Sequence, residues 1–310
     1  MLRLTLRKIV QGILMLLIVS AATFALLSGA GGDALAGIRD NPQVSAETIA
    51  RLESAYGLDR SFVERYGSWL AGAVRGDLGE SISFRIPVAG MVVSRFLNTA
   101  MLAVVALVLA SIVSFALAIA SARYRSRVLS GTIEVIVLIT ASTPRMVLAL
   151  LALVLALMLS TTAPVGGGMS GFQFVAASVV LAIPLVSIFL AQLRDGLREA
   201  MNEDFVKVAR SLGFSEWTVI TRHALRAAIN PFLTLFGLSL GALLGGSVIV
   251  ETVLGWPGIG ALTVAAVRAR DVPLVMGVVL ISSLAVWAGN TAAEFLQLVN
   301  DPRIRSGDFE

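Results

Sequence analysis

The sequence predicts an all-α integral membrane protein with six transmembrane helices, both termini in the cytoplasm and a large external loop after the first span. Two observations predict this class. The 310 residues are 57% hydrophobic and only 14% charged, with a mean hydropathy of +0.87, whereas a soluble globular chain is usually about a quarter charged. Apolar runs of about 20 residues also recur along the chain, which is the length at which a helix crosses the hydrocarbon of a bilayer.

Each of the six apolar runs is expected to be a helix, because a spanning segment must satisfy its backbone hydrogen bonds internally. The first run follows three cations and resembles a signal peptide. Its apolar stretch is long, about 19 residues, so we interpret it as an uncleaved anchor. The six predicted spans are residues 9–27, 99–122, 132–160, 172–193, 231–253 and 273–299.

Basic residues near the spans predict the orientation. With six spans, three basic segments lie on one side of the membrane, and the positive-inside rule makes that side cytoplasmic. These segments contain Arg3, Arg7 and Lys8, then Arg123, Arg125 and Arg127, then Arg303 and Arg305. The predicted parts are an anchor helix (1–30), an extracytoplasmic segment (31–97), a five-helix core (98–299) with a cytoplasmic loop (194–230), and a cytoplasmic tail (300–310).

Several kinds of chemistry are excluded by composition. The chain has no cysteine and one histidine, His223, so thiol chemistry, a disulfide framework and a multi-histidine metal site are all excluded. A Walker A loop needs Gly-Lys-Ser/Thr to hold phosphates. Neither Lys8 nor Lys207 follows a glycine, so the chain is expected to bind no ATP through a P-loop, no metal and no other cofactor.

The extracytoplasmic segment contains two amphipathic patterns. In the first, Ser45 is a candidate N-cap and apolar residues follow at helical spacing as far as Gly57. The second begins at Phe62 and carries Tyr66 and Trp69. Helices of this kind suit a membrane surface or a docked protein, and packing on the external mouth of the spans is an equal alternative.

A charged stretch, "DFVKVARSLGFSEWTVITRHALRAAINP", interrupts the apolar runs at residues 204–231. It predicts two short helices joined at Gly213, which can take the left-handed conformation that ends a helix. Ser215 is the predicted cap of the second helix. The first helix has one apolar face, formed by Phe205, Val208, Ala209 and Leu212. Two readings stay open: a docking element for a cytoplasmic partner, or an interfacial helix on lipid headgroups.

The same stretch resembles the cytoplasmic loop signature of ABC-importer permease subunits, in the dipeptide, oligopeptide and nickel branch. Similar matches are "YGLDRSFVERYGSWLAGAVRGDLGES", "GGSVIVETVLGWPGIG", "ARDVPLVMGVVL" and "NDPRIR", so the resemblance covers nearly the whole chain. Lys207 and Val208 replace the Glu and first Ala of the generic permease signature, a departure that is common in this branch. The chain departs from the branch pattern at two places: "GAGGDAL" replaces Pro-Gly-Asp-Pro, and Arg145 follows "STP".

The resemblance implies a multi-pass protein of the bacterial cytoplasmic (inner) membrane that forms half of a translocation pathway. Implied partners are a second homologous permease, two cytoplasmic ATP-binding subunits that use ATP and Mg, and an extracytoplasmic solute-binding protein. Peptide is the first substrate expectation, with nickel or a metallophore complex as alternatives. In the cytoplasmic loop, which would couple the permease to the ATP-binding subunits, the resemblance implies an apolar contact face formed by Phe205, Val208, Ala209 and Leu212. The polar rim of this face would be Glu203, Asp204, Lys207 and Arg210, and Gly213 would form the sharp turn.

Within the spans, small residues and isolated charges suggest further roles. Gly237, Gly241 and Gly245 repeat every four residues, a spacing that lets helices approach closely in lipid. Arg145 and Glu251 are candidates for the translocation pathway, because charges inside a membrane either line a path or pair with one another. A stand-alone secondary transporter or channel is the alternative function, but the internal repeat that it would favour is not evident.

Overall fold

The computed structural model describes residues 2–29, 45, 47–49, 51, 60–124, 126–159 and 171–300. Apart from one isolated β-bridge between Glu80 and Pro87, the regular structure of these residues is helical. The main helices are α1 (Leu2–Gly29), α2 (Phe62–Val74), α3 (Val88–Tyr124), α4 (Arg127–Ser142), α5 (Arg145–Leu159), α6 (Gly171–Ala200), α7 (Asp204–Ser211), α8 (Glu216–Thr218), α9 (Leu225–Gly246), α10 (Val248–Leu254), α11 (Ile259–Arg268) and α12 (Val272–Asn300). A π-helical segment, Val219–Ala224, joins α8 to α9.

Five helical stretches are long and apolar enough to cross a membrane, and two bent helix pairs raise the number to as many as seven. The five straight stretches are Thr5–Gly29, Val88–Tyr124, Gly171–Ala200, Glu216–Gly245 and Val272–Phe295. They include the predicted first, second and fourth spans and all but the last four residues of the predicted sixth span. The third and fifth predicted spans differ from the structure, each for a local reason.

The predicted third span, residues 132–160, is not one helix. In the part that the structure describes, α4 and α5 meet at an angle of 96°. Thr143 is extended, with φ −88° and ψ 118°, as expected for a residue that precedes a proline, because the proline ring clashes with a helical conformation there. Pro144 therefore breaks the span, and Arg145 begins a new helix instead of lying in the middle of a long one.

The predicted fifth span, residues 231–253, begins earlier and ends earlier than expected. Pro231 does not open it. The helix runs continuously from Glu216 through the π-helical segment to the end of α9, with Pro231 inside it. A proline within a membrane helix costs one backbone hydrogen bond and is tolerated there. The break comes at Ser247, and α10 and α11 then form a second pair bent by 84°.

Contacts divide the chain into two compact units, which comprise residues 1–99 with 257–285 and residues 100–256 with 286–310. In the first unit, the ring of Phe24 on α1 packs on two rings of α2, with centroid distances of 5.2 Å to Phe62 and 5.6 Å to Tyr66. Ser61 caps α2 and exchanges hydrogen bonds with Glu64. The hydrogen bond from the Ser61 side chain, followed by that from its backbone, holds the pKa of Glu64 below its ordinary value.

A buried carboxylate anchors a turn in the first unit. Asp271 is fully buried and accepts hydrogen bonds from the Ser81 hydroxyl at 2.6 Å, the Ser83 N–H at 2.9 Å and the Leu274 N–H at 3.1 Å. These bonds tie the segment before α3 to the start of α12. We call Asp271 and its three donors the Asp271 anchor.

The second unit is built around α6 and α9, which pack along each other. Four rings fill this contact: Phe189 lies 5.1 Å from Phe232 and 6.3 Å from Phe236, and Phe115 of α3 lies 4.8 Å from Phe232. Near one end, a β-carbon on Gly196 would lie 3.1 Å from the Cβ of Ala228. This close packing holds the start of α9, and with it the hairpin described below, against α6.

Candidate functional site

The charged stretch at residues 204–231, here called the hairpin, turns at Gly213. Gly213 has φ +81°, a conformation that side-chain-bearing residues rarely adopt. Its N–H donates to the Arg210 carbonyl at 3.0 Å, and the Phe214 N–H donates to the Ala209 carbonyl at 3.3 Å. These two bonds form a Schellman motif, which ends α7 and satisfies its last carbonyls. A β-carbon at Gly213 would meet nothing within 4 Å, so the constraint there is conformational and not steric.

An ion pair closes the turn. Arg210 on α7 contacts Glu216 on α8, with Nε–Oε1 at 2.8 Å and Nη2–Oε2 at 3.3 Å. Ser215 caps the second helix by accepting from the Thr218 N–H at 3.3 Å. The predicted cap is therefore in place. The Arg210–Glu216 pair was missed, because the six-residue separation brings the two side chains together only after the turn has formed.

The inner face of the hairpin differs from the predicted face. Val206 and Ala209 are buried, 0% and 4% exposed, and Val219 and Ile220 of the π-helical segment are buried as well. Ala209, which the sequence places on the surface that would meet a partner, is buried against its own chain in this structure. The i, i+3, i+4, i+7 pattern identified one apolar face, but a short helix packed on its own chain has an inner and an outer apolar edge. Ala209 belongs to the inner edge.

The outer face exposes large apolar side chains. On α7, Phe205 is 41% exposed and Val208 57%, and Leu212 at its C-cap is 70% exposed. Phe214 and Trp217, just beyond the turn, are about half exposed. We call these five residues the exposed apolar set. Single exposed apolar residues are ordinary, whereas a contiguous exposed apolar patch is typical of an interaction site. Phe205, Val208 and Leu212, at i, i+3 and i+7, lie on one face of the helix.

Polar residues border the exposed apolar set. Lys207 donates to Asp204 at 2.7 Å along α7, and both side chains are exposed. Glu203 lies at the N-cap position but makes no side-chain capping bond. Glu203, Asp204 and Lys207 are exposed at the start of α7, whereas Arg210 contacts Glu216. His223 lies with its ring centroid 5.6 Å from that of Phe214.

The three spaced glycines lie on α9, and the first two face α12 closely. A β-carbon at Gly237 would overlap Ala293, and one at Gly241 would lie 2.9 Å from Asn290 Oδ1. Gly245 is looser, because its β-carbon would lie 3.2 Å from the side chain of Val286. The backbones of Gly241 and Gly289 face each other across this contact.

The two predicted pathway residues have different surroundings. Glu251 on α10 is fully buried and accepts a hydrogen bond from the Ser247 hydroxyl. Arg145 is partly exposed at the start of α5, and among the described residues no carboxylate lies within ion-pair distance of it. The structure therefore does not pair the two. Within the described ranges, no group of three His, Asp or Glu residues is arranged to hold a metal ion.

Comparison with known proteins extends these observations to the whole chain. Residues 112–306 match the model of the family "Binding-protein-dependent transport system inner membrane component", and residues 1–93 match the corresponding N-terminal family. A Brucella suis protein described as a peptide permease is 32% identical over 317 residues, covering 98% of this chain and 99% of that protein. The glutathione transport system permease protein GsiC of Escherichia coli is 31% identical over 305 residues, with the same coverage.

Members of this family are transport components and not enzymes. The apolar helices and the family match agree on a multi-pass protein of the bacterial inner membrane. The chain therefore belongs to the binding-protein-dependent transport system inner-membrane component family and is a permease subunit of an ABC importer.

Proposed function

We propose that this permease forms half of a peptide translocation pathway and that separate ATPase subunits drive it through the hairpin. The observation that supports this proposal is the exposed apolar set, which lies on a turn fixed by Gly213 and by the Arg210–Glu216 pair. Burying apolar surface supplies the binding free energy of most protein contacts. A cytoplasmic ATPase with a complementary groove would bind this surface, and the ATP and Mg would belong to that subunit.

A continuous helix supports the transmission of movement from the hairpin to the membrane. The stretch Glu216–Gly245 is 30 residues long without an interruption. A displacement of α8 therefore moves α9, and the close contacts at Gly237 and Gly241 would pass the movement to α12. In this proposal the glycines act in packing and have no direct role in binding substrate.

For the topology, we propose six spans with both termini in the cytoplasm. The five straight stretches and the α4–α5 pair, counted as one broken span, make six, and α10–α11 would then be a re-entrant pair on the external side. Counting that pair as a seventh span would place Arg303 and Arg305 outside, against the positive-inside rule. This arrangement keeps the segment at residues 31–97 external, where a solute-binding protein would dock.

The proposed substrate is a peptide, because the relatives named above are described as peptide and glutathione permeases. Nickel or a metallophore complex is the alternative within the branch that the sequence resembles. Arg145 is proposed to line the pathway, since a membrane cation without a described carboxylate partner is available for an anionic group. Glu251 is proposed to shape the same pathway from a buried position. The second permease subunit would supply the other half.

The test uses cells that contain the complete importer and measures ATP-dependent uptake of a labelled tripeptide and of glutathione. Gly213→Val places a β-branched residue at positive φ, which costs about 1–2 kcal/mol at the turn, and we expect most uptake to be lost while membrane insertion is unchanged. Gly213→Asn is the matched control, because asparagine tolerates this conformation better, and it should retain most uptake. Normal uptake by the valine variant, or equal losses in both variants, would contradict the role of the turn.

A further inference from the structure

A groove in the second unit is separate from the hairpin and has two chemically different halves. Two adjoining cavities, about 780 Å³ and 440 Å³ in volume, share Glu134, Arg194, Asp195 and Arg198 in their linings. Because they share these side chains, the two cavities form one continuous groove along α4 and α6. We call it the α4–α6 groove.

One half of the groove is polar and basic. Arg127 at the start of α4 joins Arg194 and Arg198 near the end of α6 in lining it. Arg194 contacts Glu134 at 3.4 Å, whereas Arg127 and Arg198 form no ion pair with any described residue. Three arginines against the carboxylates of Glu134 and Asp195 leave one net positive charge. This half therefore favours an anion.

The other half of the groove is apolar. Beyond the shared charged residues, it is lined by Val137, Leu138 and Ala141 of α4 and by Ala191 of α6. These positions lie further along both helices from the ends that carry the arginines, toward the middle of the predicted spans. A water-soluble anion would leave this half unused, whereas a molecule with a charged head and a hydrocarbon chain would fill both halves.

We propose that the α4–α6 groove binds an anionic phospholipid, with its phosphate at Arg127 and Arg198 and an acyl chain along Val137, Leu138 and Ala141. Basic pockets between transmembrane helices on the cytoplasmic side are suited to acidic headgroups. The assignment of the site to the cytoplasmic leaflet rests on the proposed orientation. The binding of a phospholipid in the groove requires only that the chain is embedded in a membrane. The mouth of the groove also includes Met201 and Asn202, so a bound lipid would brace α6 just before the hairpin.

The test measures lipid binding to the full chain, purified with its co-purifying subunits, by native mass spectrometry. Phosphatidylglycerol and phosphatidylcholine are added separately, and glycerol 3-phosphate serves as a headgroup without chains. We expect phosphatidylglycerol to bind better than phosphatidylcholine, and Arg127→Gln and Arg198→Gln each to weaken that preference about five-fold. Arg7→Gln removes an exposed charge from the predicted cytoplasmic side outside the groove and is the matched control.

A second variant tests the apolar half. Ala141→Phe should weaken the binding of phosphatidylglycerol without changing that of glycerol 3-phosphate, because only the lipid places a chain there. Equal binding of the two phospholipids, or an equal loss in Arg7→Gln, would overturn the proposal. Tight binding of glycerol 3-phosphate together with unchanged lipid binding in Ala141→Phe would identify a free-phosphate site instead. Transport is not measured, so the result stands apart from that of the Gly213 experiment.

Discussion

The hairpin and the Asp271 anchor are both short turns between helices, yet they treat their side chains in opposite ways. The anchor buries its carboxylate completely and gives it three donors from its own chain. The hairpin places its ion pair on the surface and leaves large apolar side chains in contact with solvent. The carboxylate of the anchor has its hydrogen-bond donors within this chain, whereas the hairpin has apolar surface that this chain does not bury.

The difference predicts that the anchor serves structure and that the hairpin, as in the proposed function, serves interaction. A buried polar group without a partner is costly, so the anchor is expected to matter for folding whatever the subunit does. Exposed apolar surface contributes little to folding, and it is stabilised when a partner or a membrane surface covers it. Substitutions in the two turns should therefore separate stability from transport.

The largest expected effect is loss of the anchor. Asp271→Ala would strand the Ser81 hydroxyl and the Leu274 N–H in a buried place, at about 1–3 kcal/mol for each unsatisfied group, and would remove the acceptor of the partly buried Ser83 N–H. We expect a large fall in Tm and in the yield of the purified subunit, measured by thermal unfolding in nanodiscs. Asp77→Ala is the control, because Asp77 is exposed and accepts a bond from Gly79 at 2.9 Å. A similar small effect from both variants would show that the anchor is not structural.

The next effect tests the two edges of α7. Val208→Asp places a charge on the outer face, where the side chain is 57% exposed, and Ala209→Asp places it on the inner face, where only 4% is exposed. We expect Val208→Asp to reduce ATP-dependent uptake at least ten-fold with Tm unchanged, because it spoils only the surface for a partner. Ala209→Asp should lower Tm and yield, since a buried charge without a partner is strongly unfavourable.

If both variants were stable but inactive, the face predicted from the sequence, which contains both Val208 and Ala209, would be supported. An unstable Val208→Asp together with a stable Ala209→Asp would contradict the inner and outer edges seen in the structure. Measuring co-purification of the ATPase subunits with each variant separates loss of docking from loss of a later step.

The smallest expected effect concerns the ion pair across the turn. Arg210 and Glu216 are 33% and 55% exposed, and surface pairs contribute about 0–1 kcal/mol. A double-mutant cycle with Arg210→Gln and Glu216→Gln should therefore give a coupling free energy below about 1 kcal/mol in thermal unfolding. Uptake should fall by no more than a few-fold. A coupling above this range would mean that the pair stabilises the turn more than an exposed ion pair ordinarily does.

The sequence predicted the spans and the hairpin because their signals are local. Apolar length predicts a membrane helix, and glycine followed by serine at Gly213 and Ser215 predicts the end of one helix and the start of the next. These features depend on a few neighbouring residues. The general position of four of the six spans was predicted for the same reason.

Other features depend on contacts that the sequence does not display. The inner edge of α7 is defined by the π-helical segment packed against it. A regular helical period in the sequence does not predict the extra residue of a π-helical turn. The Thr143–Pro144 pair is a local signal for the bend. The prediction of a single span relied on the length of the apolar run and did not use this signal. The Asp271 anchor joins residues that are 190 positions apart, and its chemistry becomes visible only after folding.

The π-helical segment determines which sides of the long helix the residues before it and beyond it face. One extra residue in a helical turn shifts every residue beyond it by about 100° around the axis. The exposed Trp217 before the segment and the buried Phe232 beyond it are thus held in a fixed angular relation by a single surplus position. Deleting one residue between Val219 and Ala224 would keep nearly the same composition and length of the helix. It would rotate the residues before the segment relative to those beyond it by about 100° around the helix axis.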